Sequence, residues 1–80
     1  MKTISRARKG TMVFVDYTLV KSNGEKVVKH YYSEFPRRLT RKYVIRDARA
    51  CVQILIYEQI ADGLFIDGWC GDDFTVLNAK

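Results

Sequence analysis

Residues 42–61, KYVIRDARACVQILIYEQIA, are the longest stretch with helical periodicity, and they decide the fold. At about 100° per residue on a helical wheel, the apolar side chains gather on one side and most polar ones on the other. The apolar side consists of Val44, Ile45, Ala48, Cys51, Val52, Leu55, Ile56 and Ile60. Two polar residues, Arg49 and Gln59, interrupt it. The pattern predicts an amphipathic helix that covers one face of a sheet.

A polar ridge runs along one edge of this predicted helix. It consists of Lys42, Arg46, Arg49, Gln53 and Tyr57, spaced by four, three, four and four residues. Residues at these spacings are neighbours on a helix surface. The helix therefore combines an apolar side with a continuous and mostly basic edge.

Two alternating stretches precede the helix. Residues 11–20, TMVFVDYTLV, and 25–34, EKVVKHYYSE, are rich in β-branched and aromatic residues, as strands are. Asn23-Gly24 between them is the strongest short signal for a two-residue type I′ hairpin turn. Such a turn places Leu19 opposite Val28.

That register divides the hairpin into two faces. The predicted core face holds Val13, Val15, Tyr17, Leu19, Val28, His30 and Tyr32. The predicted outer face holds Phe14, Asp16, Thr18, Lys29 and Tyr31. Aromatic and cationic side chains on an outer face suit base stacking, a protein interface or ordinary cross-strand packing.

The helix should end near Asp62-Gly63, because glycine favours the position after a helix C-cap. Residues 64–78, with a turn rich in glycine and aspartate, predict a second and shorter hairpin. The fold class is therefore α+β: an antiparallel sheet of about four strands (hairpin–helix–hairpin) with one helix packed across one face. Residues 1–80 form a single small domain, in which 1–10, MKTISRARKG, are either a flexible basic arm or a lead-in to the first strand.

The charges are divided unevenly along the chain, whose net charge is +5. Residues 1–49 hold thirteen Lys/Arg and four Asp/Glu, so their net charge is +9; residues 50–80 hold one Lys and five Asp/Glu, so theirs is −4. A basic face indicates a polyanionic partner, such as nucleic acid, or a protein with an acidic patch. Excess surface charge that only solvates a small domain is the alternative.

Four cations crowd into the connection before the helix, FPRRLTRK at residues 35–42, in which Thr40 is the expected N-cap. Cations at a helix N-terminus oppose the helix macrodipole. Helix stability therefore does not account for Arg37, Arg38, Arg41 and Lys42. They serve either to contact a polyanion or as plain surface charge.

No catalytic constellation is recognisable, so we expect that the protein is not an enzyme. The one histidine, His30, falls on the predicted core face without a nucleophile at a diagnostic spacing, and phosphate-cradling glycine motifs are absent. Cys51 and Cys70 do not form a disulfide framework or, with one histidine, a zinc site. The sequence predicts no metal and no cofactor.

The sequence lacks an apolar run long enough to cross a membrane, and no apolar core follows the basic N-terminus. We therefore expect a cytoplasmic protein without a membrane partner.

The leading hypothesis is a non-catalytic small binding module that docks through a basic surface onto nucleic acid or a nucleic-acid-binding protein complex. Arginine would bind phosphates bidentately and tyrosine would stack on bases. The predicted contacts are Arg37, Arg38, Arg41, Lys42, Arg46, Arg49, Lys29, Tyr31 and Tyr57.

The alternative hypothesis is a small phage-type inhibitor that occludes a host protein, either an anti-defence protein or an inhibitor of a host enzyme. Its acidic C-terminal hairpin would imitate phosphates, with an exposed tryptophan as anchor. The residues assigned to this role are Asp67, Trp69, Asp72 and Asp73. A third hypothesis, a small metal-dependent enzyme, uses the aspartates of the same region, although their spacing is not that of an EF-hand.

Overall fold

The structure, a computed structural model, describes residues 10–80. The predicted basic arm, apart from its last residue, lies outside the described residues. The described chain forms five elements: β1 (Thr11–Val20), β2 (Lys26–Phe35), α1 (Arg41–Ala61), β3 (Asp67–Cys70) and β4 (Thr75–Leu77). The helix starts within one residue of the predicted start and ends at the predicted residue.

β1 is the central strand of a four-stranded antiparallel sheet. β2 pairs with it along one side, whereas β3 and β4 pair with it along the other. α1 packs across one face of this sheet, with most of its strand contacts to β1 and β3. The predicted α+β class, with about four antiparallel strands and one helix, is confirmed.

The second pair of strands is not the hairpin that the sequence predicted. β3 and β4 lie end to end beside β1, so that Cys70 pairs with Tyr17 and Thr75 pairs with Phe14. The chain therefore advances five residues while β1 advances three, which makes the segment between β3 and β4 a bulge. The Gly71 amide still donates to the Asp16 carbonyl at 2.9 Å. The segment rich in glycine and aspartate therefore interrupts the strand that pairs with β1, and it does not reverse the direction of the chain.

The first hairpin forms, but its register differs from the prediction by one residue. The Lys21 amide donates to the Glu25 carbonyl at 2.8 Å and the Gly24 amide to the Lys21 carbonyl at 2.9 Å, with Gly24 at φ 90°. This is a three-residue loop in which only the glycine is left-handed, not a two-residue type I′ turn. Consequently Leu19 pairs with Val27.

A shift of one residue exchanges the faces of a strand. The predicted faces of β2 are therefore wrong: His30, expected in the core, is exposed and pairs with Asp16 on the outer face. Tyr31, expected outside, lies on the helix side and is half-buried. Tyr32 takes its place on the outer face.

The core forms between the inward side of β1 and a narrow stripe of the helix. On the helix, buried side chains recur every four residues, which is the spacing of one helix face. The core consists of Val13, Val15, Tyr17, Leu19, Val44, Ala48, Val52, Ile56 and Phe74. Thr40 is the N-cap, as predicted, and its hydroxyl accepts from the Tyr43 amide at 3.2 Å.

Candidate functional site

Five exposed cations lie at the N-terminal end of α1, and we call them the basic cluster. Two come from the connection after β2 and three from the first turns of the helix. They are Arg37, Arg38, Arg41, Lys42 and Arg46. Lys42 and Arg46 are one turn apart and so are neighbours on the helix surface.

A buried threonine fixes the connection on which this cluster stands. Thr11 is fully buried, and its hydroxyl accepts from the Leu39 amide at 2.7 Å. The same oxygen lies 3.4 Å from the carbonyl oxygens of Arg37 and Asn78, to which it can donate. One side chain on β1 thus ties the loop before the helix to the C-terminal segment.

The C-terminal residues hold the same loop from its other side. The Lys80 amide donates to the Leu39 carbonyl at 3.0 Å. The Arg38 guanidinium donates to the Ala79 carbonyl, also at 3.0 Å. The basic cluster therefore projects from a backbone that is hydrogen-bonded on both sides.

The charges of the basic cluster have no acidic partner among residues 10–80. The ion pairs within this part of the chain join Lys21 to Glu25, His30 to Asp16 and Arg49 to Asp72. The first turn of α1 also lacks an acidic residue. The helix macrodipole opposes cations at this end, by roughly 0.3–1 kcal/mol for each charge near the terminus. The cluster therefore reduces helix stability rather than supporting it.

Arg49, a predicted member of the binding ridge, has contacts within the fold instead. Its guanidinium carbon lies 4.9 Å from the centroid of the Phe74 ring, and one of its nitrogens is 3.6 Å from an Asp72 carboxylate oxygen. It thereby joins the helix to the bulge between β3 and β4. Arg49 therefore interrupts the predicted ridge after Arg46.

Lys29 and Tyr31 lie on the opposite flank of the helix, at the β2 edge. Burial raises the pKa of Tyr31, and a hydrogen bond with the Cys51 side chain raises it further. Lys29 is exposed and lies six residues before the end of β2. About 20 Å of strand therefore separates it from the loop that carries Arg37 and Arg38. The structure does not bring these two residues together with the basic cluster.

Tyr57 is also remote from the cluster. Its side chain is exposed, but it lies eleven residues after Arg46, which is about 16 Å along the helix axis. Of the nine predicted contacts, five therefore lie at the N-terminal end of α1 or in the loop before it.

The four residues of the acidic hypothesis do not share one surface. Asp67 and Trp69 point to the sheet face that lacks a helix, whereas Asp72 turns toward Arg49 on the helix. Asp73 lines a cleft of about 220 Å³ beside β1, together with Asp16. Within residues 10–80, no group of three His, Cys, Asp or Glu side chains is placed to hold a metal ion.

The sheet face opposite the helix is a large uncovered surface, which we call the open face; the sequence predicted an outer face with Phe14, Asp16 and Thr18 but assigned it the wrong residues of β2. No described helix or strand packs on it, and Val28, Tyr32 and Trp69 on it are 56%, 45% and 45% exposed. Its members are Met12, Phe14, Asp16, Thr18, Val20, Lys26, Val28, His30, Tyr32, Glu34, Asp67, Trp69, Thr75 and Leu77. The correct hairpin register would have assigned its β2 residues.

The centre of the open face is both aromatic and polar. The Phe14 and Tyr32 rings lie with their centroids 4.9 Å apart, and His30 Nδ1 lies 2.7 Å from an Asp16 oxygen. This face carries three acidic residues, Asp16, Glu34 and Asp67, and one lysine, Lys26. The face is therefore unsuited to phosphates, despite its aromatic rings.

Comparison with protein-family models, with curated proteins and with solved structures finds no significant match. No helix within residues 10–80 is long and apolar enough to cross a membrane.

Proposed function

We propose that this protein is a non-catalytic binding module that docks onto nucleic acid, or onto a nucleoprotein complex, through the basic cluster. One observation carries the proposal: five exposed cations stand together on an anchored backbone without an acidic partner in residues 10–80. A bound anion would offset both the mutual repulsion of these charges and their unfavourable position at a helix N-terminus.

The chemistry of the cluster fits a phosphate backbone. Four of its five members are arginines, whose planar guanidinium groups bind phosphate oxygens bidentately. The aromatic rings of the open face lie on the other side of the sheet, among acidic residues, so they do not add base stacking to the same contact. The expected binding is therefore electrostatic and largely independent of base sequence.

The salt dependence of binding tests this proposal. If all five cations contact phosphates, log K for duplex DNA should fall with log salt with a slope of about −4.5, or about −3.5 for a single strand. Arg41→Glu with Arg46→Glu removes two contacts, so the slope should become shallower by about 2 and binding should be lost at physiological salt. Neither side chain has a described hydrogen bond or ion pair that holds the fold.

The matched control is Lys21→Glu with Lys29→Glu, which changes the net charge equally at two exposed positions outside the cluster. It should retain most of the affinity of the unaltered protein. Equal losses in both double variants would mean that only net charge matters, and would contradict a localised site. A flat dependence on salt would exclude phosphate contacts altogether.

A second candidate function is an inhibitor or adaptor that occludes another protein, and the open face favours it. Exposed aromatic and aliphatic side chains around Trp69 resemble the anchors of protein interfaces. Capture from a lysate separates the two functions: a complex that survives nuclease and is lost with Trp69→Ala indicates a protein partner. A complex that nuclease destroys indicates nucleic acid.

A further inference from the structure

β2 is a long and regular edge strand of the sheet. β2 runs for ten residues in constant register with β1, without a bulge or a proline before Pro36. No other described strand pairs with that edge. Such an edge exposes a row of unpaired amides and carbonyls, which is a template for pairing with a further strand.

The hydrogen bonds of the hairpin show which residues direct their backbone outward. Lys21 and Glu25 form a hydrogen-bonded pair at the turn. Because hydrogen-bonded and non-hydrogen-bonded pairs alternate along an antiparallel ladder, the odd-numbered residues of β2 bond to β1. The amides and carbonyls that point to the free edge belong to Lys26, Val28, His30, Tyr32 and Glu34.

We propose that this edge pairs in antiparallel fashion with β2 of a second copy, about a twofold axis at His30. Lys26 then lies opposite Glu34 of the second copy, and the exposed Val28 lies opposite Tyr32 of the second copy. Each arrangement occurs twice because of the symmetry. The five outward residues of each chain exchange backbone hydrogen bonds with their opposite numbers, and the two sheets join into one.

The charges and the pairing pattern select this register over its neighbours. Outward residues must face outward residues, so the alternatives slip by two positions at a time. One slip puts Lys26 opposite Pro36, which has no amide to donate. The other puts Lys26 opposite Tyr32 and moves Glu34 beyond the end of the strand. Only the central register pairs all five residues and places opposite charges together.

Glu34 keeps an oxygen for this contact. In the single chain, one of its carboxylate oxygens accepts a hydrogen bond from the Tyr32 hydroxyl. Neither Lys26 nor Glu34 takes part in an ion pair within residues 10–80. The second copy therefore supplies each with a charged partner that its own described chain does not provide.

The joined sheet has a defined geometry. Residues opposite each other in an antiparallel pair point to the same face, so both helices lie on one side and both open faces form one continuous surface on the other. Each basic cluster follows the C-terminal end of its β2, and these ends lie ten residues, or about 34 Å, apart along the paired strands. The two clusters therefore lie on the same side of a bivalent assembly.

The charge pair gives a decisive experiment by sedimentation equilibrium, from micromolar to millimolar concentrations of the full chain. The unaltered protein should reach twice the monomer mass of 9.3 kDa. Lys26→Glu alone or Glu34→Lys alone places like charges opposite each other twice, and each should raise the Kd tenfold or more. Combining both substitutions in one chain should restore the dimer.

A mixture of the two single variants is the sharpest test. Their heterodimer has opposite charges at both ends, so it should form although each variant alone stays monomeric. The variant Val28→Pro should also abolish the dimer, because the amide it removes points outward and is not part of the ladder with β1. Its far-UV circular dichroism should stay unchanged.

Two results would overturn the proposal. One is a mass of 9.3 kDa at every concentration of the unaltered protein. The other is a dimer that the charge variants and Val28→Pro leave unchanged, because it would then use another surface, such as the centre of the open face. Because the substitutions lie outside the basic cluster, failure of the dimer would leave the proposed binding of polyanions intact.

Discussion

The buried hydroxyl of Thr11 offers the most direct test of how the basic cluster is held. Thr11→Val keeps the shape of the side chain and removes its oxygen. The Leu39 amide, which donates to that oxygen at 2.7 Å, then loses its acceptor in a partly buried position. The carbonyl oxygens of Arg37 and Asn78 also lose the Thr11 hydroxyl as a donor.

The expected cost follows from these contacts. A buried donor without an acceptor costs about 1–3 kcal/mol, so we expect a loss of about 2 kcal/mol in the free energy of unfolding. For a domain of this size, such a loss lowers Tm by roughly 8–16 °C. Thr11→Ser is the matched control, because it keeps the oxygen and loses only a buried methyl group, worth about 1 kcal/mol.

Denaturant unfolding gives the two free energies, and hydrogen exchange reports on the Leu39 amide itself. In Thr11→Val this amide should exchange much faster, whereas in Thr11→Ser it should keep its protection. A Thr11→Val protein as stable as the unaltered one, with unchanged protection of Leu39, would refute the role of Thr11 as the anchor of the loop.

Three further predictions concern the packing of the C-terminal half. Gly68→Ala places a methyl group 2.8 Å from a Leu19 side-chain carbon and 2.9 Å from a backbone oxygen, so it should destabilise the fold by about 1–3 kcal/mol in denaturant unfolding. Arg49→Gln removes the guanidinium from the Phe74 ring and from Asp72; because the side chains of Arg49 and Asp72 are exposed, it should cost no more than about 1 kcal/mol by the same measurement. Burial raises the pKa of Cys70. Its alkylation by iodoacetamide should therefore reach half its maximal rate at a higher pH than the alkylation of a cysteine in an unfolded peptide. Because the thiolate is disfavoured in the folded protein, the free energy of unfolding should fall as the pH rises above the pKa of the unfolded thiol.

The sequence determined the elements of this protein because their signals are local. The four-residue recurrence of Val44, Ala48, Val52 and Ile56 fixes the helix and its buried side. The alternation in residues 11–20 fixes the central strand and the face that it buries. Capping by Thr40 depends only on neighbouring residues, and so does the concentration of cations before the helix.

The tertiary structure decided how these elements face one another. Asn23-Gly24 is compatible with two turns that differ by one residue, and this difference alone decides whether His30 and Tyr32 or Tyr31 lie on the helix side. A glycine- and aspartate-rich segment can reverse a chain or form a bulge, and only pairing of β4 with β1 selects the bulge.

The same limit applies to the candidate site. Its cations were identified from the sequence, but residues distant along the chain decided which of them are free. Arg49 is engaged by Phe74 and Asp72, whereas the cations from Arg37 to Arg46 form no ion pair within residues 10–80. The role of Thr11 was invisible in the sequence, because its partners lie 26 to 67 residues away. Local patterns set the elements, and only long-range contacts set which surfaces stay open to a partner.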